Sequence, residues 1–220
     1  LHENVFQGLP LGAESDHAET ALDHRLEQIG LGRTSNVIPA LTEQMYELRG
    51  GPVHALVLVV LPTQPEYVLG PALSQLAMPD VLAGLEAIVA VLDPRQLIVV
   101  LDRQDGVTFR RWKRVAWARQ AMPLLRIKLL RNRYPQAHPT ILARTLFGRC
   151  LPAGAMPSRL GLVLVDPVTC WGLGRRLRIG HAFTDRPVQL FTQDGSGPRL
   201  VMGRIGETVK EFCLRYHVET

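Results

Sequence analysis

Short, continuous apolar runs alternate along this chain with stretches of helical period. The runs at 53–61, 96–102, Leu125–Leu130 and 161–166 are rich in Val, Ile and Leu and lack a polar residue at every second position. Such runs belong to strands covered on both faces. Between the first two, Met78–Leu92 places Val81, Leu82, Leu85, Ile88, Val89 and Leu92 at helical spacing, and Pro79 and Asp80 mark its entry. Segments 108–120 and 138–147 predict two further amphipathic helices, the first of them basic. The alternation predicts an α/β fold with a Rossmann-like parallel sheet, and the right-handed crossover rule puts 53–61, 96–102 and Leu125–Leu130 side by side in it.

The C-terminal stretch changes character. Segments 188–193 and Arg199–Arg204 flank Asp194-Gly195-Ser196-Gly197-Pro198, a hairpin signature, and 207–216 follows as a helix with Val209, Phe212, Cys213 and Tyr216 on one face. A hairpin feeding a helix is the first half of a β-grasp unit. Three parts are expected: an N-terminal helical or linker segment at 1–29, the Rossmann-like domain at 30–184, and a partial β-grasp segment at 185–220.

Composition narrows the chemistry. At 220 residues and 46% hydrophobic, the chain can bury a real core, and no apolar run is long enough to span a bilayer. With no signal-peptide pattern at its start, a cytoplasmic location is expected. Cys150, Cys170 and Cys213 are widely spaced, so neither an iron–sulfur cluster nor structural zinc is encoded, and free thiols fit a reducing compartment. His17 and His24 could share one helix face, but a polar helix carries such residues for solubility, and no metal site is expected.

Much of the +5 net charge lies in Arg110-Arg111-Trp112-Lys113-Arg114 and in Lys128, Arg131 and Arg133. A basic surface with an interleaved Trp suits an acidic partner or nucleic acid, yet no nucleic-acid motif accompanies it, which favours a solvated helix face. Asp102 and Asp105 read as turn and cap residues. Gly172-Leu173-Gly174 lacks the third glycine of a dinucleotide fingerprint and follows no clean strand-to-helix turn. No Ser-His-Asp order or nucleophile elbow is present, so no catalytic residue is assigned.

An ordered series of segments carries a family resemblance. Tyr134-Pro135-Gln136 is followed by Leu142 and Leu146, then by Gly148-Arg149, Pro152, Gly154 and Pro157. Asp166-Pro167-Val168-Thr169 then stands in place of an N-V-G-T motif, and 186–206 looks like the opening of an SLBB domain. Over most of residues 22 to 213 the chain resembles the C subunit of Rnf electron-transport complexes. It is similar also to propanediol-utilisation cobalamin reductase and, more distantly, to the flavin-binding subunit of respiratory complex I. The resemblance implies an FMN-binding domain followed by an SLBB module, in a subunit that moves electrons from NADH.

The departures from that pattern are as informative. In place of G-x-G-G-x-G-F-P the chain has 30–39, in which Gly30 and Gly32 remain while Arg33 and Asn36 stand where small residues are useful. Val59, Pro62, Gln64 and Pro65 replace N-x-x-E-x-[DE]-P, and Ala137-His138-Pro139 replaces the G-G-E that follows Y-P-Q. The downstream cluster-binding cysteines are absent from the sequence. The expected remnant of a cofactor site is Gly30, Gly32, Arg33, Asn36, Gln64, Tyr67, Tyr134 and Gln136, gathered beyond the carboxyl ends of the strands, with Arg33 available to a phosphate. No bound cofactor is expected, FMN being the one the resemblance would supply. The expected role is a non-catalytic or partner-dependent docking subunit of an electron-transfer assembly, peripheral to any membrane complex. The alternatives are an FMN subunit passing electrons from NADH to a partner, and a module binding a small ligand or acidic polymer.

Overall fold

A computed structural model of the chain describes residues 34–35, 37–48, 51–64, 66–118, 125–180, 184–191 and 198–218. The segment expected at 1–29, with His17 and His24, lies outside the described residues, as do Gly30, Gly32, Arg33 and Asn36.

The apolar runs form β1 (Ala55–Val59), β2 (Leu97–Asp102), β3 (Leu125–Leu130) and β4 (Leu162–Val165), in the sheet order β3-β2-β1-β4. All pairs are parallel, with Leu56 opposite Leu97, Leu97 opposite Leu125, and Ala55 opposite Leu162. The expected adjacency of the first three runs therefore holds. Seven α-helices and one 3-10 helix (Pro157–Leu160) accompany the strands among the described residues, the α-helices being α1 (Leu41–Leu48), α2 (Leu69–Leu76), α3 (Met78–Leu92), α4 (Gly106–Ala118), α5 (Pro139–Phe147), α6 (Pro167–Ile179) and α7 (Val209–Tyr216).

Both faces of the sheet are covered, which is why its strands read as unbroken apolar runs. Leu56, Leu58, Val99 and Leu101 meet side chains from α1, α2, α3, α4 and α6. Val57, Val59, Ile98 and Val100 meet Leu142 and Ala143 of α5, together with Ile38 and Leu151. Trp112 belongs to the first of these layers and is 0% exposed, so the aromatic interleaved in the basic stretch is core and unavailable to a nucleic acid.

Helix α6 corrects the reading of Gly172-Leu173-Gly174. Strand β4 does run through a turn into a helix, with Asp166 as its N-cap and Pro167 as its first residue. The glycine serves packing rather than a nucleotide. A Cβ on Gly174 would lie 1.8 Å from the Asp80 carbonyl oxygen, and one on Gly84 would lie 1.9 Å from that of Cys170. Helices α3 and α6 thus touch backbone to backbone at two reciprocal glycines. At the head of α4, the Asp105 carboxylate accepts from the Thr108 amide at 2.9 Å and its hydroxyl at 2.5 Å, while Asp102 accepts from the Gln104 amide at 3.0 Å. These are the turn and cap roles expected of them.

The C-terminal hairpin is β5 (Asp185–Leu190) against β6 (Arg199–Arg204), antiparallel. Its turn, at 192–197, lies outside the described residues. Helix α7 starts two residues later than expected, where Thr208 and Glu211 form a reciprocal capping box. The Tyr216 hydroxyl donates to the Met202 carbonyl at 2.7 Å and accepts from its amide at 3.1 Å, which fixes α7 over the hairpin. Val209, expected on the packed face, is instead 76% exposed, because the capping turn holds it out beyond the hairpin.

Candidate functional site

In an open parallel sheet, the loops beyond the carboxyl ends of the strands are where ligands bind. Here those loops leave β1 at 60–68, β3 at 131–138 and β4 at Asp166. Ile38, Leu61 and Ala137, one from each of the three regions expected to converge, share a single buried cluster.

Asp166 is the polar centre of this edge. It is buried, and its Oδ1 accepts from the amides of Val168 and Thr169 at 2.8 and 2.9 Å, the N-cap arrangement. Its Oδ2 accepts from the hydroxyls of Thr34 at 2.6 Å and Thr169 at 3.1 Å, and those two hydroxyls lie 2.6 Å apart. The segment after Thr34 is turned by Ser35, whose Oγ accepts from the amides of Val37 and Ile38, both at 3.1 Å. The Asp166 charge is felt by its neighbours. Burial first, and Asp166 second, push the Tyr67 phenol from 10.0 to about 12 and hold the Cys170 thiol well above its ordinary range.

Tyr67 is positioned from outside the sheet. Gln189 of β5 accepts from the Val68 amide at 2.8 Å and donates to the Glu66 carbonyl at 2.6 Å, so its carboxamide clamps the backbone on either side of Tyr67. The hairpin is thereby fastened to the β1–α2 loop.

Of the expected site residues within the described part, Gln64 and Tyr67 meet in one turn, with the Tyr67 amide donating to the Gln64 carbonyl at 3.2 Å. Gln64 itself is exposed. Tyr134 is 71% exposed, and Gln136 turns its amide to the Thr145 hydroxyl of α5 at 3.1 Å. No described hydrogen bond joins this second pair to the first. Sequence reasoning does not pick out Asp166, Thr169, Thr34 or Gln189 as site residues. An Asp-Pro dipeptide after an apolar run is a legible helix cap, but its partner hydroxyl at Thr34 and the Gln189 clamp come from distant segments.

The groups present can be tested against the flavin that the resemblance implies. A flavin phosphate at a helix N-terminus needs free backbone N–H donors and a surplus of positive potential. At α6 the amides of Val168 and Thr169 already donate to Asp166. A phosphate there would have to displace a carboxylate held by four hydrogen bonds and would face its charge. The described residues around α6 do not fit that phosphate.

No family model matches the chain. The C subunit of the ion-translocating oxidoreductase complex of Buchnera aphidicola subsp. Baizongia pistaciae is 21% identical over 175 residues, which cover 80% of this chain and 34% of that protein. The protein of the same name from Cronobacter sakazakii is 22% identical over 195 residues, 87% of this chain and 24% of that protein. The one from Salmonella typhimurium is 22% identical over 198 residues, 89% and 26% respectively. The chain spans between about a quarter and a third of the length of these curated relatives. Among solved structures, an NAD+-reducing NiFe hydrogenase in its air-oxidised state superposes with a TM-score of 0.68 at 13% identity, over 92% of this chain and 41% of that one. That likeness is one of fold. The ordered motifs, the parallel sheet and these matches converge: the chain is homologous, at low identity but over most of its length, to the C subunits of ion-translocating oxidoreductase complexes.

Proposed function

We propose that this chain is a docking subunit of an electron-transfer assembly, built on a flavin-domain fold but working through protein partners rather than through a flavin of its own. The observation that carries the reading is Asp166, which occupies the N-terminal donors of α6 with its own carboxylate and fastens Thr34 across them. In this reading residues 30–184 are the flavin-domain homologue, and 185–220 are an SLBB-like β-grasp segment clamped to it by Gln189. Gly30, Gly32, Arg33 and Asn36, with Gln64, Tyr67, Tyr134 and Gln136, are then a remnant of a cofactor site.

A positively charged sheet edge, with cations on both faces beside β3, supports docking. Arg110, Lys113 and Arg114 on α4, Arg126 and Lys128 on β3, and Arg131 and Arg133 after it are all exposed. Strand β3 is the sheet's outer strand among the described residues. Such an edge attracts an acidic protein surface and weakens its hold as salt rises. No single described helix is long and apolar enough to cross a membrane.

The competing reading, an FMN subunit passing electrons from NADH to a partner, requires either that Asp166 release the α6 amides or that the flavin phosphate be held elsewhere at this edge. Purification of the full chain with its genomic neighbours co-expressed separates the two. The docking reading expects a salt-sensitive complex that survives without flavin on this chain. FMN bound in proportion to this chain would establish the competitor.

A further inference from the structure

The amino-terminal edge of the sheet, opposite the loops described above, carries a concavity that the proposed function does not use. Two adjoining cavities of about 470 and 350 Å³ open there and share His54, Arg149 and Leu160 as walls. Each lies within the volume range of small-molecule sites. Arg95 and Phe147 line the second cavity, and Ser158 lines the first.

The charge in this concavity is unbalanced. Glu47 is paired with Arg159, which removes the carboxylate lining the first cavity as a partner for the other cations. Among the described residues, neither Arg95 nor Arg149 has a side-chain hydrogen bond or ion pair. Both follow helix ends that are already closed. The Gly148 amide donates to the Arg144 carbonyl at 2.9 Å after α5, and the Asp93 amide donates to the Val89 carbonyl at 3.0 Å after α3. The two guanidinium groups are therefore not spent on capping those helices.

Two further features mark a shaped site rather than a stray pair of arginines. Ser158 is 2% exposed, and its hydroxyl has no hydrogen-bond partner, an uncommon state for a buried polar group. A serine hydroxyl reaches a new acceptor by rotation about one bond. The His54 ring is held against Gly161, where a Cβ would lie 2.6 Å from its Cδ2, and the φ of +69° at Gly161 independently favours glycine. The His54 amide donates to the Gly161 carbonyl at 2.8 Å, fixing the ring's backbone at the mouth of both cavities.

We propose that this edge binds a phosphate-bearing small molecule of nucleotide size. Its phosphate is taken by the forks of Arg149 and Arg95, with His54 and the Ser158 hydroxyl as further donors, and its body lies along the apolar wall of Phe147 and Leu160. Guanidinium groups suit phosphate because they offer paired N–H donors in one plane.

The test is titration of the full chain with AMP and, separately, with inorganic phosphate, followed by calorimetry and by amide chemical shifts. Saturable AMP binding is expected, tighter than that of inorganic phosphate, with shifts at His54, Gly161 and Leu162. Arg149→Ala and Arg95→Ala, both at exposed positions that leave the core intact, should each weaken it at least tenfold, and Ser158→Ala severalfold. Absence of saturation at millimolar AMP, binding untouched by both arginine variants, or shifts confined to the Asp166 edge would each overturn the proposal.

Discussion

The Gln44 carboxamide pairs with both backbone groups of Leu164, its Nε2 donating to the carbonyl at 2.7 Å and its Oε1 accepting from the amide at 2.8 Å. Leu164 lies on β4, the outer strand on that side of the sheet among the described residues, so its outward amide and carbonyl have no described strand to bond. Gln44 is 0% exposed and supplies the missing donor and acceptor from α1. It is a one-residue substitute for a fifth strand, and it closes an edge that would otherwise hold buried, unsatisfied groups.

Replacing Gln44 by Leu keeps the volume and removes both bonds to Leu164, together with the one that its Nε2 donates to the Pro39 carbonyl at 3.0 Å. We expect a loss of about 2–6 kcal/mol, from roughly 1–3 for each of the two Leu164 groups left without a partner. Urea unfolding should show a lower midpoint at unchanged slope. An unaltered midpoint would mean that water satisfies Leu164.

The crossing of α3 and α6 predicts a sharper effect. Gly174→Ala puts a methyl 1.8 Å from the Asp80 carbonyl oxygen, a backbone atom that cannot rotate away. The helices must separate, at a cost of about 1–3 kcal/mol or more. That corresponds to a fall in Tm of roughly 2–4 °C per kcal/mol for a chain of this size. Ala at the exposed Gly148, where a Cβ meets nothing within 4 Å but φ is +67°, should cost less.

Tyr67 should report the Asp166 charge. Its phenol is raised from 10.0 to about 12, by burial first and by Asp166 second. Because the folded value lies above the unfolded one, the contribution to stability is intact below pH 10 and is lost as pH rises from 10 toward 12. Asp166→Asn removes the coulombic part, so tyrosinate absorbance should show Tyr67 ionising earlier than in the parent while remaining above 10. An unchanged titration would separate Tyr67 from Asp166.

How much was legible followed from where the information lies in the chain. Strands β1 to β4 were readable because burial on both faces leaves a continuous apolar run. Helix α6 was not, because Pro167 to Gly174 are all buried and Gly172 and Gly174 weaken the helical signal, leaving no amphipathic period to detect. Helix α2 was hidden in the same way by Gly70 and Pro71 within a single short helix. At the candidate site, Gln64 and Tyr67 are residues to which the family pattern points. The Thr34 to Asp166 bond joins residues 132 apart, and no local period announces it. The Gln189 clamp is equally non-local.

The flavin content of the full chain, purified under native conditions, tests the central claim most directly. If Asp166 keeps the α6 amides for itself and the loops at 30–39 and 60–68 lack the residues with which the family holds its flavin, the protein should show no flavin absorbance and release no FMN on denaturation, including after incubation with excess FMN. A yellow protein releasing about one FMN per chain would contradict the account and would make this edge a working flavin site.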